Sequence, residues 1–176
     1  MSTKQGDSRN KININRITLY SMLVAICLIV GYLESLLSIS LIAIAPGVKI
    51  GLSNALVLAL ICMNDKKGAW MVNVTRICLS ALLFGSPVSL LLSLSGGISS
   101  TFVACLLSRV KSVSVIGISI ASAVVHNTFQ LLAAMIIVGF GVVYYLPILI
   151  GVGAVCGAFC GILARLVNNK IKTFGL

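Results

Sequence analysis

Residues 114–140 read SVIGISIASAVVHNTFQLLAAMIIVGF. The stretch contains no Lys, Arg, Asp or Glu. As a helix at about 1.5 Å per residue it would exceed the ~30 Å hydrocarbon core of a bilayer. A soluble helix of that length needs a charged face, and this one offers only His126, Asn127 and Gln130 beyond its hydroxyls. It reads as a membrane span. Further apolar runs occupy 17–37, 48–63, 69–84, 88–107 and 146–167. The connectors hold helix breakers: Pro46-Gly47, Asn64 to Gly68, Gly85-Ser86-Pro87, Ser108 to Lys111, and Gly141 to Pro147.

The whole chain shares this character. Of 176 residues 59% are hydrophobic and 9% charged, too few charges to clothe a soluble domain of that size. The organisation expected is a polar, basic tail over 1–16, disordered or lying on the surface, then one membrane domain over 17–167 and a short basic end over 168–176. Ala43-Ile44-Ala45 imitates a signal-peptide cleavage site, but the preceding run is too long and Pro46 follows, so the first run reads as a retained helix.

The net charge of +10 would suggest nucleic acid in a soluble protein. Here the basic residues follow the spans. Lys4, Arg9, Lys11 and Arg16, then Lys66 and Lys67, then Arg109 and Lys111, then Arg165, Lys170 and Lys172 all fall on one side if there are six spans. The positive-inside rule makes that side cytoplasmic. The expectation is therefore an all-α, six-helix transmembrane bundle in the cell membrane, with both termini cytoplasmic and no nucleic-acid partner.

Ionisable groups inside a bilayer cost roughly 3 kcal/mol each on insertion scales, so the exceptions are informative. Glu34 lies near the outer end of the first span, Lys49 opens the second with Asn54 a turn further in, and Arg76 lies in the outer half of the third. His126 and Gln130 share a face of the fifth with Asn127 beside them. These seven residues fall largely in the outer half and form a candidate small-molecule pocket. With Lys49 and Arg76 against Glu34 its formal charge is +1, which favours a ligand bearing a carboxylate or phosphate. The competing readings are a structural ion pair of Glu34 with Arg76 or Lys49, and a core histidine bonded to a neighbouring carbonyl. Tyr144 and Tyr145 read as interfacial anchors.

Small residues form a second pattern. Gly153, Gly157 and Gly161 make a close-packing stripe on the sixth span, and Ser93, Ser95, Gly96, Gly97, Ser99 and Ser100 crowd the fourth. Ser21 and Ala25 form a small-xxx-small pair on the first, either packing inside the bundle or docking a membrane partner. The six cysteines lie in or at the ends of apolar runs and read as small hydrophobes. With one histidine, no metal site is expected. Three widely spaced acids (Asp7, Glu34, Asp65) cannot form the paired aspartate clusters that hold magnesium against a diphosphate. There is no P-loop. No catalysis and no cofactor are expected of the chain alone.

Tyr32-Leu33-Glu34-Ser35, Pro46-Gly47-Val48-Lys49-Ile50-Gly51-Leu52-Ser53-Asn54, Phe84-Gly85-Ser86-Pro87, Ser95-Gly96-Gly97 and His126-Asn127-xx-Gln130 resemble the Gx transporter family, also labelled heptaprenyl diphosphate synthase component I. The resemblance runs over about 16–167, with residues 40–44 in place of a proline-rich run. That family is similar to the substrate-binding S components of energy-coupling-factor transporters. The resemblance implies six helices, a vitamin-sized or cofactor-like solute bound near the outer face, and partnership with a transmembrane coupling subunit and cytoplasmic ATPases. It also implies docking of that subunit on Ser21 and Ala25.

Three functions compete: a transport protein binding a small anionic or amphipathic solute at Glu34, Lys49, Asn54, Arg76, His126, Asn127 and Gln130; a non-catalytic accessory subunit of heptaprenyl diphosphate or quinone synthesis; and a scaffold for an extracytoplasmic redox system in which the polar set is structural.

Overall fold

The computed structural model describes residues 3–41 and 51–173, with side chains over most of that range. Among the described residues the chain is all helix: α1 (Thr3–Leu41), α2 (Leu52–Cys62), α3 (Lys66–Phe84), α4 (Pro87–Leu107), α5 (Val115–Val138) and α6 (Leu146–Thr173). A 3-10 turn, Phe140–Tyr145, joins the last two.

The six expected helices are present in the expected order. Among the described residues four segments are long and apolar enough to cross a membrane: Arg16–Leu36, Pro87–Leu107, Val115–Val138 and Phe140–Asn169. The other two helices depart from the simple reading. Helix α3 is long enough, but it carries Lys66, Lys67 and Arg76. The 11 residues of α2 rise only about 16 Å, roughly half the hydrocarbon core. Helix α1 begins at Thr3, within the polar basic stretch, and runs on through the first apolar run.

Short as it is, α2 is the centre of the bundle. It contacts all five other helices. Ser53, Ala55 and every residue from Val57 to Ile61 are buried. A helix apolar all round is stable only when enclosed on every side. The molecule's outer surface is equally apolar: Leu82, Ile136, Phe140 and Val155 are each more than two-thirds exposed. Several buried positions are polar instead, among them Glu34, Asn73, Thr101 and Asn127. That distribution suits a lipid-facing bundle, whose interior holds the hydrogen-bonding groups that hydrocarbon cannot satisfy.

Local chemistry sets the helix ends. Asp65, Ser86 and Ser114 cap α3, α4 and α5, each side chain accepting the N–H three residues on, from Gly68, Ser89 and Gly117. Pro87 occupies the first turn of α4, where its missing N–H costs nothing. Asp65 also accepts a 2.5 Å hydrogen bond from the Tyr20 hydroxyl of α1. That ring lies where a Cβ on Gly68 would sit, so the absent side chain admits the clamp between α1 and α3. Helix α5 ends at Val138, short of the expected 140, because Gly139 turns the chain at φ +104°, a conformation that glycine adopts without strain.

The glycine stripe on α6 packs as its spacing suggests. A Cβ on Gly157 would lie 2.9 Å from the Ile120 backbone and 3.0 Å from the Ser119 carbonyl. One on Gly161 would lie 2.8 Å from the Ile116 backbone. Gly151 meets nothing within 4 Å. Backbone cannot yield as a side chain tip can, so Gly157→Ala must spread α5 from α6. It should lower stability by about 1–3 kcal/mol, whereas Gly151→Ala, which meets nothing, should raise it by about 0.5–1 kcal/mol. Thermal unfolding in detergent compares the two.

Candidate functional site

A cavity of about 200 Å³ lies inside the bundle, walled by residues from all six helices. Five of the seven residues singled out in the sequence line it: Glu34, Asn54, Arg76, His126 and Asn127. Gln130 does not, although it shares a helix face with His126. The α5 wall runs from Ser119 to Asn127, toward the Ser114 end of the helix and away from Gln130. Lys49 lies outside the described residues. Tyr144 and Tyr145 are exposed on the connector and take no part.

The position of Glu34 follows from a defect in α2. That helix starts at Gly51, whose φ of +80° needs glycine and which has no side chain to cap the turn. The first N–H groups of a helix need an acceptor. Glu34 supplies it from α1: its carboxylate accepts from Gly51 N–H and, at 3.1 Å, from Leu52 N–H. Glu34 as a whole is 6% exposed. Its charge is met by backbone donors and by the positive end of the α2 dipole. The ion pair with Arg76 considered from the sequence is therefore not the arrangement found.

Arg76 is held by amides instead. Its Nε donates to Asn73 Oδ1 at 2.9 Å and an Nη donates to Asn54 Oδ1 at 2.5 Å. Asn73 is buried and fixed in turn, donating to the Gly97 carbonyl at 3.0 Å and to Thr101 Oγ1 at 2.8 Å. This side chain orients the guanidinium, and the sequence reading passed over it. The available signal was its place one turn before Arg76 on an otherwise apolar face. A guanidinium has five N–H donors. Two are bonded here, leaving three for an occupant of the cavity.

His126 packs directly on α4, where a Cβ at Gly96 would meet its ring and its carbonyl within 3.0 Å. Its Nδ1 lies 3.4 Å from the Ser100 hydroxyl. Asn127 is buried and donates to the Leu149 carbonyl at 2.9 Å, tying α5 to α6, with Gly153 leaving room for its amide. Its role is at least partly structural. Hydroxyls from Ser53, Ser80, Ser93, Ser119 and Ser122 complete much of the polar wall. Tyr32 and Phe84 stack with ring centroids 4.8 Å apart, and both are exposed as well as lining, which puts them at the opening. Among the described residues no three His, Cys, Asp or Glu side chains group as metal ligands would. Ser21 and Ala25 are exposed on α1, outside the cavity.

If Glu34 serves as the cap of α2, charge matters less than having an acceptor. Glu34→Ala should cost about 1–3 kcal/mol of stability by orphaning two half-buried donors. Glu34→Gln, which keeps an acceptor oxygen, should recover most of that in the same thermal assay. A Gln variant as unstable as the Ala variant would point to an ion pair instead.

The family profile described as Heptaprenyl diphosphate synthase component I matches residues 23–167, which include every helix except the outer parts of α1 and α6. No curated protein and no solved structure matches the chain. With the match extending over most of the sequence, the chain belongs to the heptaprenyl diphosphate synthase component I family.

Proposed function

We propose that this chain is a membrane-embedded binding protein that captures a small anionic solute in its helical cavity and works as the substrate-recognising part of a larger transport assembly. The observation that carries the reading is Arg76: a guanidinium inside an apolar bundle, oriented by two asparagines, with donors left over beside an open cavity. Burying a charge without a counter-ion is costly. A ligand that supplies the counter-charge offsets that cost, and it gains an oriented, partly dry site with serine hydroxyls around it.

In this reading the bundle crosses the membrane with both termini inside. Lys67, Arg109, Lys111 and Arg165 then lie on the cytoplasmic side, and Tyr32 and Phe84 flank an opening toward the outer side. The short α2 is enclosed by its neighbours and need not cross alone. Helix α1 presents Ser21 and Ala25 outward, where a transmembrane coupling subunit would pack, and cytoplasmic ATPases would supply the energy that this chain has no site to harvest.

The family's description favours a second reading, a non-catalytic membrane partner of a prenyl diphosphate synthase. Glu34 and Asp65 already serve as helix caps, for α2 and α3. In either reading the chemistry of a synthase would fall to another subunit.

Mass spectrometry of small molecules copurifying with the gently solubilised protein separates the two. The transport reading expects one stoichiometric compound in the wild type and none in Arg76→Ala, with both proteins folded. A wild type that carries nothing, yet restores prenyl diphosphate synthesis to a soluble partner, would establish the accessory role instead.

A further inference from the structure

Resting on the binding reading above, the geometry points to a ligand class: the cavity takes a small organic monoanion, a carboxylate, with its charged group on Arg76 and its uncharged body against the serine-lined wall. Three observations carry this.

The first is the division of labour between the two charged residues that line the cavity among the described residues. Glu34 is committed to Gly51 and Leu52 N–H, and Arg76 to the neutral amide oxygens of Asn54 and Asn73. Neither neutralises the other by direct contact, so the guanidinium is open to one external anion. The remaining donors include both on one Nη nitrogen and one on the other, which allows the parallel two-point contact that arginine makes with a carboxylate.

The second is the limit on charge. Arg76 is the one cation among the described lining residues, and the Glu34 carboxylate shares the cavity. A second or third negative charge on the ligand would face Glu34 with no further cation among the described lining residues to balance it. In a site of low dielectric that repulsion is weakly screened. Diphosphates, and phosphate monoesters in their dianionic form, are disfavoured on this ground.

The third is size. At about 200 Å³ the cavity lies below the range of sites that enclose drug-sized molecules.

An isosteric substitution tests the inference. In Asn54→Asp the oxygen that accepts from Arg76 becomes a carboxylate, so the guanidinium gains an internal counter-ion at unchanged shape. Compounds copurifying with the wild type and with Asn54→Asp are compared by mass spectrometry, with thermal unfolding in detergent as the check on folding. The expected result is a single singly charged carboxylate in the wild type and an occupancy lower by about tenfold or more in a folded Asn54→Asp. Should the wild type purify empty, benzoate and its neutral isostere benzamide are the probes, and benzoate alone should raise the unfolding midpoint. Retention of the compound in Asn54→Asp overturns the carboxylate assignment. So does a stoichiometric diphosphate, which leaves the binding reading intact, whereas a neutral or cationic compound overturns both. An empty wild type that benzoate does not stabilise overturns both.

Discussion

The contact of the Glu34 carboxylate with the first turn of α2 is the constraint on which the rest of the structure depends. Helix α2 is short, apolar all round and enclosed by the other five helices. It begins with a half-buried glycine at the cavity wall that offers no cap. In water such an end would be solvated, but inside an apolar bundle two unsatisfied N–H groups would cost several kcal/mol. A carboxylate from α1 answers both donors and complements the helix dipole. Once Glu34 is used this way it is withdrawn from Arg76, and the guanidinium must find other partners.

Those partners are amides, and the choice has consequences. An Asp or Glu at 54 or 73 would close an ion pair and leave a neutral, self-satisfied core. Asparagines orient the guanidinium without cancelling its charge. Asn73 manages this only because it is anchored on α4 through Gly97 and Thr101, so the cation's direction is set by α3 and α4 together. The glycines nearby serve the same end. Gly96 admits the His126 ring and Gly153 the Asn127 amide, which lets polar groups line the interior while the helices stay in close contact.

Much of this was legible in the sequence. Apolar runs separated by Pro, Gly and charged residues gave the number and order of helices, and the four-residue glycine period on α6 marked a close helix contact. Five of the seven suspected site residues meet at one cavity because polar groups in an apolar run have nowhere else to be satisfied. Other features depend on partners that one-dimensional reading does not supply. Glu34 bonds to backbone N–H groups, which every residue but proline carries and no pattern distinguishes. The shortness of α2 was hidden because apolar residues run on both sides of Gly51. Gln130 shares a helical face with His126, but the cavity extends along α5 in the other direction. Asn73 could have been found, since a lone amide one turn from a buried arginine is a natural partner for it.

The central claim is that Glu34 caps α2 while Arg76 stays open to an external anion. It is tested most directly by an experimental density map of the protein in lipid nanodiscs, purified with nothing added. The account predicts the Glu34 carboxylate on the N–H groups of Gly51 and Leu52, and a small molecule's density against the Arg76 guanidinium. A map in which Glu34 and Arg76 face each other across a closed cavity would contradict it.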